Sequence, residues 1–411
     1  YVILDGQQFT MDFPTVYRQP LYYDDFFGTL NLSWDSEALV LDSGVITARA
    51  AEGTARAMFR LNIPFSKTDV GLEMDLLVGL ANSHPIHRVK YVPYTLNETL
   101  LDWLSGAIGE GAVDQGGFVW RGSLRPGASD LRTVQLFLNV SNTTLNYHPQ
   151  WPGVRAVQGV VLIDDTSVSV WADSARLYDS VANRLSAEAW LTDSGQMMLA
   201  VGGELTGPAA DGLRVVNESL LGELVNAAFS DWQATGDLTT RLHLELNLAD
   251  KSAPPVVDVH TEWQAVDLSI NPGGLQIQGL EGALDYTSAA GFSSSGLAGT
   301  LWGEPISADV RQRLLTPGTA AALDFRNSLI EVSLATRVDT GDVRDWLGLE
   351  ALSLAQGDAA VSGSVRVVSG EAPVLSLESD LVGIGLDLPE PWAKAADLPG
   401  QLSVELPLGR E

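Results

Sequence analysis

The sequence predicts an all-β fold with a minor helical part, arranged as a repeating antiparallel sheet. Three observations predict it. Apolar and polar residues alternate with period two in run after run. Gly-, Pro- and Asn-rich punctuation separates the runs. A short helix-start phrase recurs about every 120 residues, and strand-like runs follow each copy.

The helix phrases set the repeat. Residues 97–104 and 217–224 share five of eight identities, and residues 340–347 form a weaker third copy. Asn97, Asn217 and Thr340 suit the start of a helix, where a side-chain oxygen caps exposed backbone N–H groups. Glu or Asp in the first turn favours the helix dipole. Leu100, Leu101, Leu104, Ala107 and Ile108 then mark one helical face. The implied units are a partial repeat over residues 1–96, full repeats over 97–216 and 217–339, and a partial repeat over 340–411. Such units point to a stacked array rather than independent globules.

The strands follow from alternation. In residues 238–248, Leu242, Leu244, Leu246 and Leu248 alternate with Arg241, His243, Glu245 and Asn247, giving one apolar and one wet face. Residues 256–265, 329–338, 360–368 and 374–381 repeat the pattern, and residues 402–408 are strand-like. Asn271-Pro272-Gly273-Gly274 and Asp211-Gly212 read as turns between runs. By the same parity Leu242, Leu244, Leu246, Val257, Val259, Ile330, Val332 and Leu334 belong to one side, with Arg241, Glu245, Asp258, Glu262 and Glu331 on the other. Alternation alone fits either an open trough or a sealed two-sheet core.

Composition narrows the function. A net charge of −28 disfavours nucleic acid and adsorption to anionic lipid surfaces, both of which need clustered Lys and Arg. The absence of cysteine excludes disulfide scaffolds, Cys-zinc sites and thiol catalysis. The longest runs without a charged residue, 133–154 and 286–303, are broken by Asn, Pro, His, Gly and Ser and do not suit a spanning helix. Tyr1 and Glu411 read as cut ends, so the chain is expected to be an interior fragment.

No catalytic signature is present: no nucleophile elbow, phosphate loop, dinucleotide fingerprint or zinc-protease helix motif. His84 and His87 are a close pair with no third ligand placed by spacing, so no metal and no cofactor is expected. Trp120, Trp151, Trp171, Trp190, Trp263 and Trp302 could stack on sugars, but in strand-like runs packing is the simpler role. Sequons at Asn31, Asn139, Asn142 and Asn217 read as accidental.

Several phrases resemble the YhdP-type branch of the AsmA-like family. They are Tyr91-Val92-Pro93, Leu101-Asp102-Trp103-Leu104, residues 116–122, 135–140 and 147–152, Val170-Trp171-Ala172, and Gly385-Leu386-Asp387-Leu388-Pro389-Glu390-Pro391-Trp392-Ala393-Lys394. The resemblance covers most of the chain and is weakest over residues 274–322. It implies an elongated β-groove of curved antiparallel sheet, anchored in the inner membrane through parts outside this chain. It also implies a non-enzymatic role: carrying phospholipid acyl chains across the periplasm toward the outer membrane, in support of the outer-membrane barrier. The eight residues of the shared face would then line the groove. The alternatives are a structural or adhesive extracellular β-protein with a sealed core, and a sugar-binding or glycoside-active module with facing carboxylates beneath a Trp platform.

Overall fold

A computed structural model of the chain describes residues 1–219, 221–222, 229–250, 252–271, 273–315, 327–368, 371, 373–389 and 391–407. Leu220, Glu223 and Leu224 of the second expected helix, and Pro272, Glu390, Leu408 and Glu411, lie outside the described residues.

The strands run in three groups. Before the first long helix come β1 (Val2–Met11), β2 (Leu21–Trp34), β3 (Ala38–Ser43), β4 (Ile46–Ala50), β5 (Gly53–Pro64) and β6 (Glu73–Ser83). Next are β7 (Ala112–Ser123), β8 (Arg132–Leu145), β9 (Val154–Asp164), β10 (Ser167–Leu177), β11 (Ser180–Leu191) and β12 (Met197–Pro208). Then follow β13 (Gln233–Asn247), β14 (Val256–Ile270), β15 (Leu275–Thr287), β16 (Gly291–Leu301), β17 (Glu304–Leu314) and β18 (Ser328–Asp339). The chain closes with β19 (Ala355–Gln356), β20 (Asp358–Val368), β21 (Val374–Ser379), β22 (Gly385–Leu386) and β23 (Leu402–Pro407).

Twenty-one of these strands form one antiparallel sheet, and β19 and β22 form a two-stranded ladder apart. Pairing follows chain order as a meander, with β3 and β4 sharing the place between β2 and β5. Strand dominates, with helix at 12%, which is the minor α content expected of an all-β repeat. The chain exposes 24266 Å², whereas a compact monomer of this mass exposes about 15,000 Å². The excess is what a single extended layer costs in exposed surface.

Among the described residues, three helices of eight residues or more interrupt the meander: α1 (Glu98–Ala107) after β6, α2 (Ala209–Glu218) after β12, and α3 (Thr340–Leu347) after β18. Six strands separate each helix from the next. Because neighbouring strands alternate in direction, all three helices fall on the same long margin of the sheet; the opposite margin consists of hairpin tips.

The helix starts match expectation at two of three places. Asn97 caps α1, its side chain accepting from the Thr99 and Leu100 N–H groups. Arg88 closes the other end, donating to the Leu104 and Ser105 carbonyls at 3.1 and 2.7 Å. Leu100 is exposed, and Ile108 lies beyond α1, bridging to Leu145. Asp339, one residue before Thr340, caps α3. The middle place differs: Asn217 sits in the last turn of α2, and its amide donates to the Phe229 carbonyl at 3.1 Å, while Leu221 and Gly222 of the expected phrase are helical, the Leu221 N–H donating to the Ser219 hydroxyl at 3.2 Å. Asp211-Gly212 is likewise inside α2, not a turn. The reason is Asp211, buried at 4% exposure, which accepts from the Asp179 and Ser180 N–H groups and the Ser180 hydroxyl. Those bonds pin the first turn of α2 to the β10–β11 hairpin.

β-Bulges lie near the helix-bearing margin. Non-glycine residues at positive φ include Asn142 in β8, Ala156 in β9, Arg184 in β11 and Ala265 in β14, and Gly236, Gly282 and Gly296 serve β13, β15 and β16. Registers shift beside most of these positions. Bulges bend strands and increase their twist, so the sheet curves along this margin. Two clusters bury apolar residues. One gathers Leu21, Tyr23, Phe26, Ile46 and Ala48; the other seats Ala209 of α2 on Ala234, Val266, Leu268 and Leu280.

Candidate functional site

In an antiparallel ladder, directly opposed residues point to the same side of the sheet. One transverse row can therefore be followed from strand to strand: Phe26, Ala48, Ala55, Leu80, Gly116, Leu138, Val161, Val170, Ala187, Val201, Leu244, Val257. Every member is apolar or glycine. The next row, from Ile46 and Ala57 through Val78, Phe118, Leu136, Ile163, Val168, Ala189 and Leu199 to Leu246, has the same character. No sequence run spells these rows, because each residue in them comes from a different strand.

Exposure separates an open face from a sealed core. From Ala55 to Val257 every residue of the first row is half-buried and none is fully buried. A two-sheet sandwich would close such positions. Among the described residues no second sheet covers this face. Along the row from Ala55 to Val257 the face is an open apolar surface.

The eight residues expected on one side are placed as follows. Leu242 opposes Val259 and Leu244 opposes Val257. Leu246 opposes Leu199. Val259 opposes Tyr286, which opposes Phe292, whose N–H donates to the Gln312 side chain at 3.1 Å. Gln312 opposes Ile330, and Val310 and Ala308 oppose Val332 and Leu334. The registers thus set all eight on a common side. Leu242 is exposed and the other seven half-buried. Reading from sequence missed the matching residues of β5–β12, although the alternation of Val134, Leu136, Leu138 and Val140 carries the same signal.

The opposite side carries charge. A chain of ion pairs crosses five strands: Arg184 to Glu204 at 3.2 Å, Glu204 to Arg241 at 3.0 Å, Arg241 to Glu262 at 3.3 Å, Glu262 to His260 at 3.2 Å, and His260 to Asp285 at 2.6 Å. The hydrogen bond from Arg241 holds the Glu204 carboxyl below the usual range. The hydrogen bond to Asp285, then that to Glu262, raises the His260 pKa. Such exposed pairs are individually weak; their consequence here is to keep this side in water.

A single curved layer with one predominantly apolar face, built from helix-plus-six-strand units, defines a repeating β-groove protein. The chain belongs to the YhdP family, whose model, described as YhdP protein, matches residues 2–410. It is 24% identical over 411 residues to the intermembrane phospholipid transporter YhdP of Escherichia coli (strain K12), an alignment covering 97% of this chain and 31% of that protein. The chain thus spans about a third of its relative's length. No solved structure matches it.

Proposed function

We propose that this chain carries phospholipid acyl chains along its apolar face, as one stretch of a path across the periplasm from inner toward outer membrane. The observation that supports it is the apolar row that continues through twelve opposed residues and stays half-open from Ala55 to Val257. The name of the relative, an intermembrane phospholipid transporter, supports the same reading. Exposing an acyl tail of about 16 carbons to water costs on the order of 10 kcal/mol, at about 0.8 kcal/mol per CH₂. A continuous apolar surface offsets most of that cost at every point along the way. No chemistry on the lipid is needed, so the role is carriage and not catalysis.

In this reading Leu242, Leu244, Leu246, Val257, Val259, Ile330, Val332 and Leu334 line the path. The repeat units are residues 1–96, 97–216, 217–339 and 340–411, with the second boundary running through α2. Attachment to the inner membrane, delivery to the outer membrane and support of the outer-membrane barrier belong to the longer assembly. The test is site-specific photo-crosslinking in cells. A photoreactive residue at Leu244 or Val332 should capture phospholipid, and one at Glu245 or Glu331 on the wet side should not. Equal capture from both sides would refute the path.

A further inference from the structure

The apolar face of β5 to β12 is free of charge at every described position but one. By register that exception is Arg132, at the start of β8, opposite Gly122 and two residues before Val134, which opposes Trp120. Its guanidinium carbon lies 4.9 Å from the centre of the Trp120 ring. It forms no ion pair among the described residues, in a chain with 52 acidic and 24 basic side chains. The Trp120 indole Nε1 is shut off from solvent and has no hydrogen-bond partner among the described residues. Gly122 leaves the position opposite the guanidinium bare, and its φ of +113° suits glycine alone, since a Cβ there would meet the Leu131 carbonyl oxygen at 2.3 Å.

We propose that Arg132 and Trp120 form a phosphodiester site, in which Arg132 takes a lipid phosphate and the Trp120 N–H takes an ester oxygen. The proposal rests on the reading of this face as a phospholipid path, and it adds a fixed point on that path. Guanidinium presents a planar fork matched to phosphate oxygens. Indole is a donor with no acceptor, and an ester carbonyl is an acceptor with no donor. A buried donor without a partner is costly, and a ligand acceptor relieves that cost once the neighbouring side chains part. Leu76 and Val134 oppose Trp120 on the two flanking strands, and Phe59 opposes Leu76, so acyl chains continue directly from the site onto apolar surface. The site lies at the hairpin-tip margin, so headgroups emerge there and tails lie toward the helices. Trp263 also has an unpartnered indole N–H, but no cation stacks on its ring and it packs against the cluster beneath α2.

The test measures binding of three probes to the whole chain: a dioctanoyl phosphatidylethanolamine, the matching dioctanoylglycerol, and inorganic phosphate. Wild type should hold the phospholipid about ten-fold more tightly than the diacylglycerol. R132Q should abolish that preference while leaving diacylglycerol binding unchanged, and R132K should keep part of it. An ether-linked phospholipid should bind a few-fold more weakly than its ester counterpart to wild type, and equally to W120F. Thermal melting of each variant separates loss of the site from loss of the fold, and R132K supplies the answer if R132Q does not fold. An unchanged preference in folded R132Q overturns the site. Competition by millimolar inorganic phosphate against the phospholipid overturns it in favour of a simple anion site. Binding of neither lipid nor diacylglycerol overturns the phospholipid path itself.

Discussion

Trp263 and Leu268 stand on the same side of the sheet although both belong to β14 and lie five residues apart. Their partners in β13, Leu238 and Ala234, are only four apart. The extra residue is taken up at Ala265, whose φ is +49°. The bulge reverses the parity of the strand, so that Val257, Val259 and Trp263 on one side of it and Val266, Leu268 and Ile270 on the other all serve the apolar face. Without it the last turn of β14 would direct its apolar residues into water, and α2 would have no seat.

Ala265 should therefore prefer glycine. A positive φ costs an L-residue about 1–2 kcal/mol, offset in part by the greater chain entropy of glycine. Ala265→Gly should hold or raise stability by up to about 1 kcal/mol, and Ala265→Val should lower it by about 1–3 kcal/mol. Urea unfolding of the two variants checks this. Equal stability of Gly and Val would show that the bulge is not held at this residue.

Charge placed on the open face should be tolerated, and charge placed in the cluster should not. Leu244 and Val332 are half-buried, whereas Val266 is 0% exposed. Leu244→Asp and Val332→Asp should leave melting within about 1–2 kcal/mol of wild type and abolish lipid crosslinking. Val266→Asp should unfold the protein or cost more than about 3 kcal/mol, since an unpaired charge is then buried. Wholesale unfolding of Leu244→Asp would point instead to a sealed core.

His260 gives the wet side a pH dependence whose sign is fixed. Its pKa in the fold is raised, first by Asp285 and then by Glu262. The stabilisation is fully present below the ordinary histidine value of about 6.5 and is lost as pH rises through the folded value. The melting temperature of wild type should fall over that interval relative to His260→Gln, which should show no such step. An NMR titration placing the His260 midpoint at or below about 6.5 would refute the assignment.

Asp211 should matter more than its place near a glycine suggests. It accepts three hydrogen bonds, at 3.0, 2.7 and 2.6 Å, from the tip of the β10–β11 hairpin. Asp211→Ala leaves the buried Ser180 N–H and hydroxyl and the part-buried Asp179 N–H without their acceptor, and should cost about 2–4 kcal/mol. Hydrogen exchange should show early opening of α2 and of the Ser180 amide, with the outer strands unaffected. Uniform destabilisation would argue against a local clamp.

Reading by sequence reaches some of this and stops at identifiable places. Strand existence and the apolar side were legible because period two is a local property, visible in Leu242, Leu244 and Leu246 without any partner. Helix starts were legible at Asn97 and Thr340, where cap and helix are adjacent in the chain. Leu221 and Gly222 are helical near the expected place, but α2 itself was read as a turn, because the anchor of its first turn, Asp211, has its partners some thirty residues earlier, and Asp-Gly by itself spells a turn. The end of β14 was misplaced at Ala265 because a bulge breaks the very alternation used to find strands. Arg132 went unnoticed since nothing local distinguishes it from an outward-facing arginine.

Alternation, punctuation and the spacing of helix phrases by themselves determined that the chain is a repeating antiparallel sheet with one apolar and one wet side. What they could not decide was whether that apolar side is closed. Period two requires only that something other than water face the side chains, and a second sheet or a lipid tail satisfies it equally. The tertiary structure decided it, because only the registers show that Ala55 and Val257, on strands far apart in the chain, belong to one row, and that row stays half-open with no second sheet over it among the described residues.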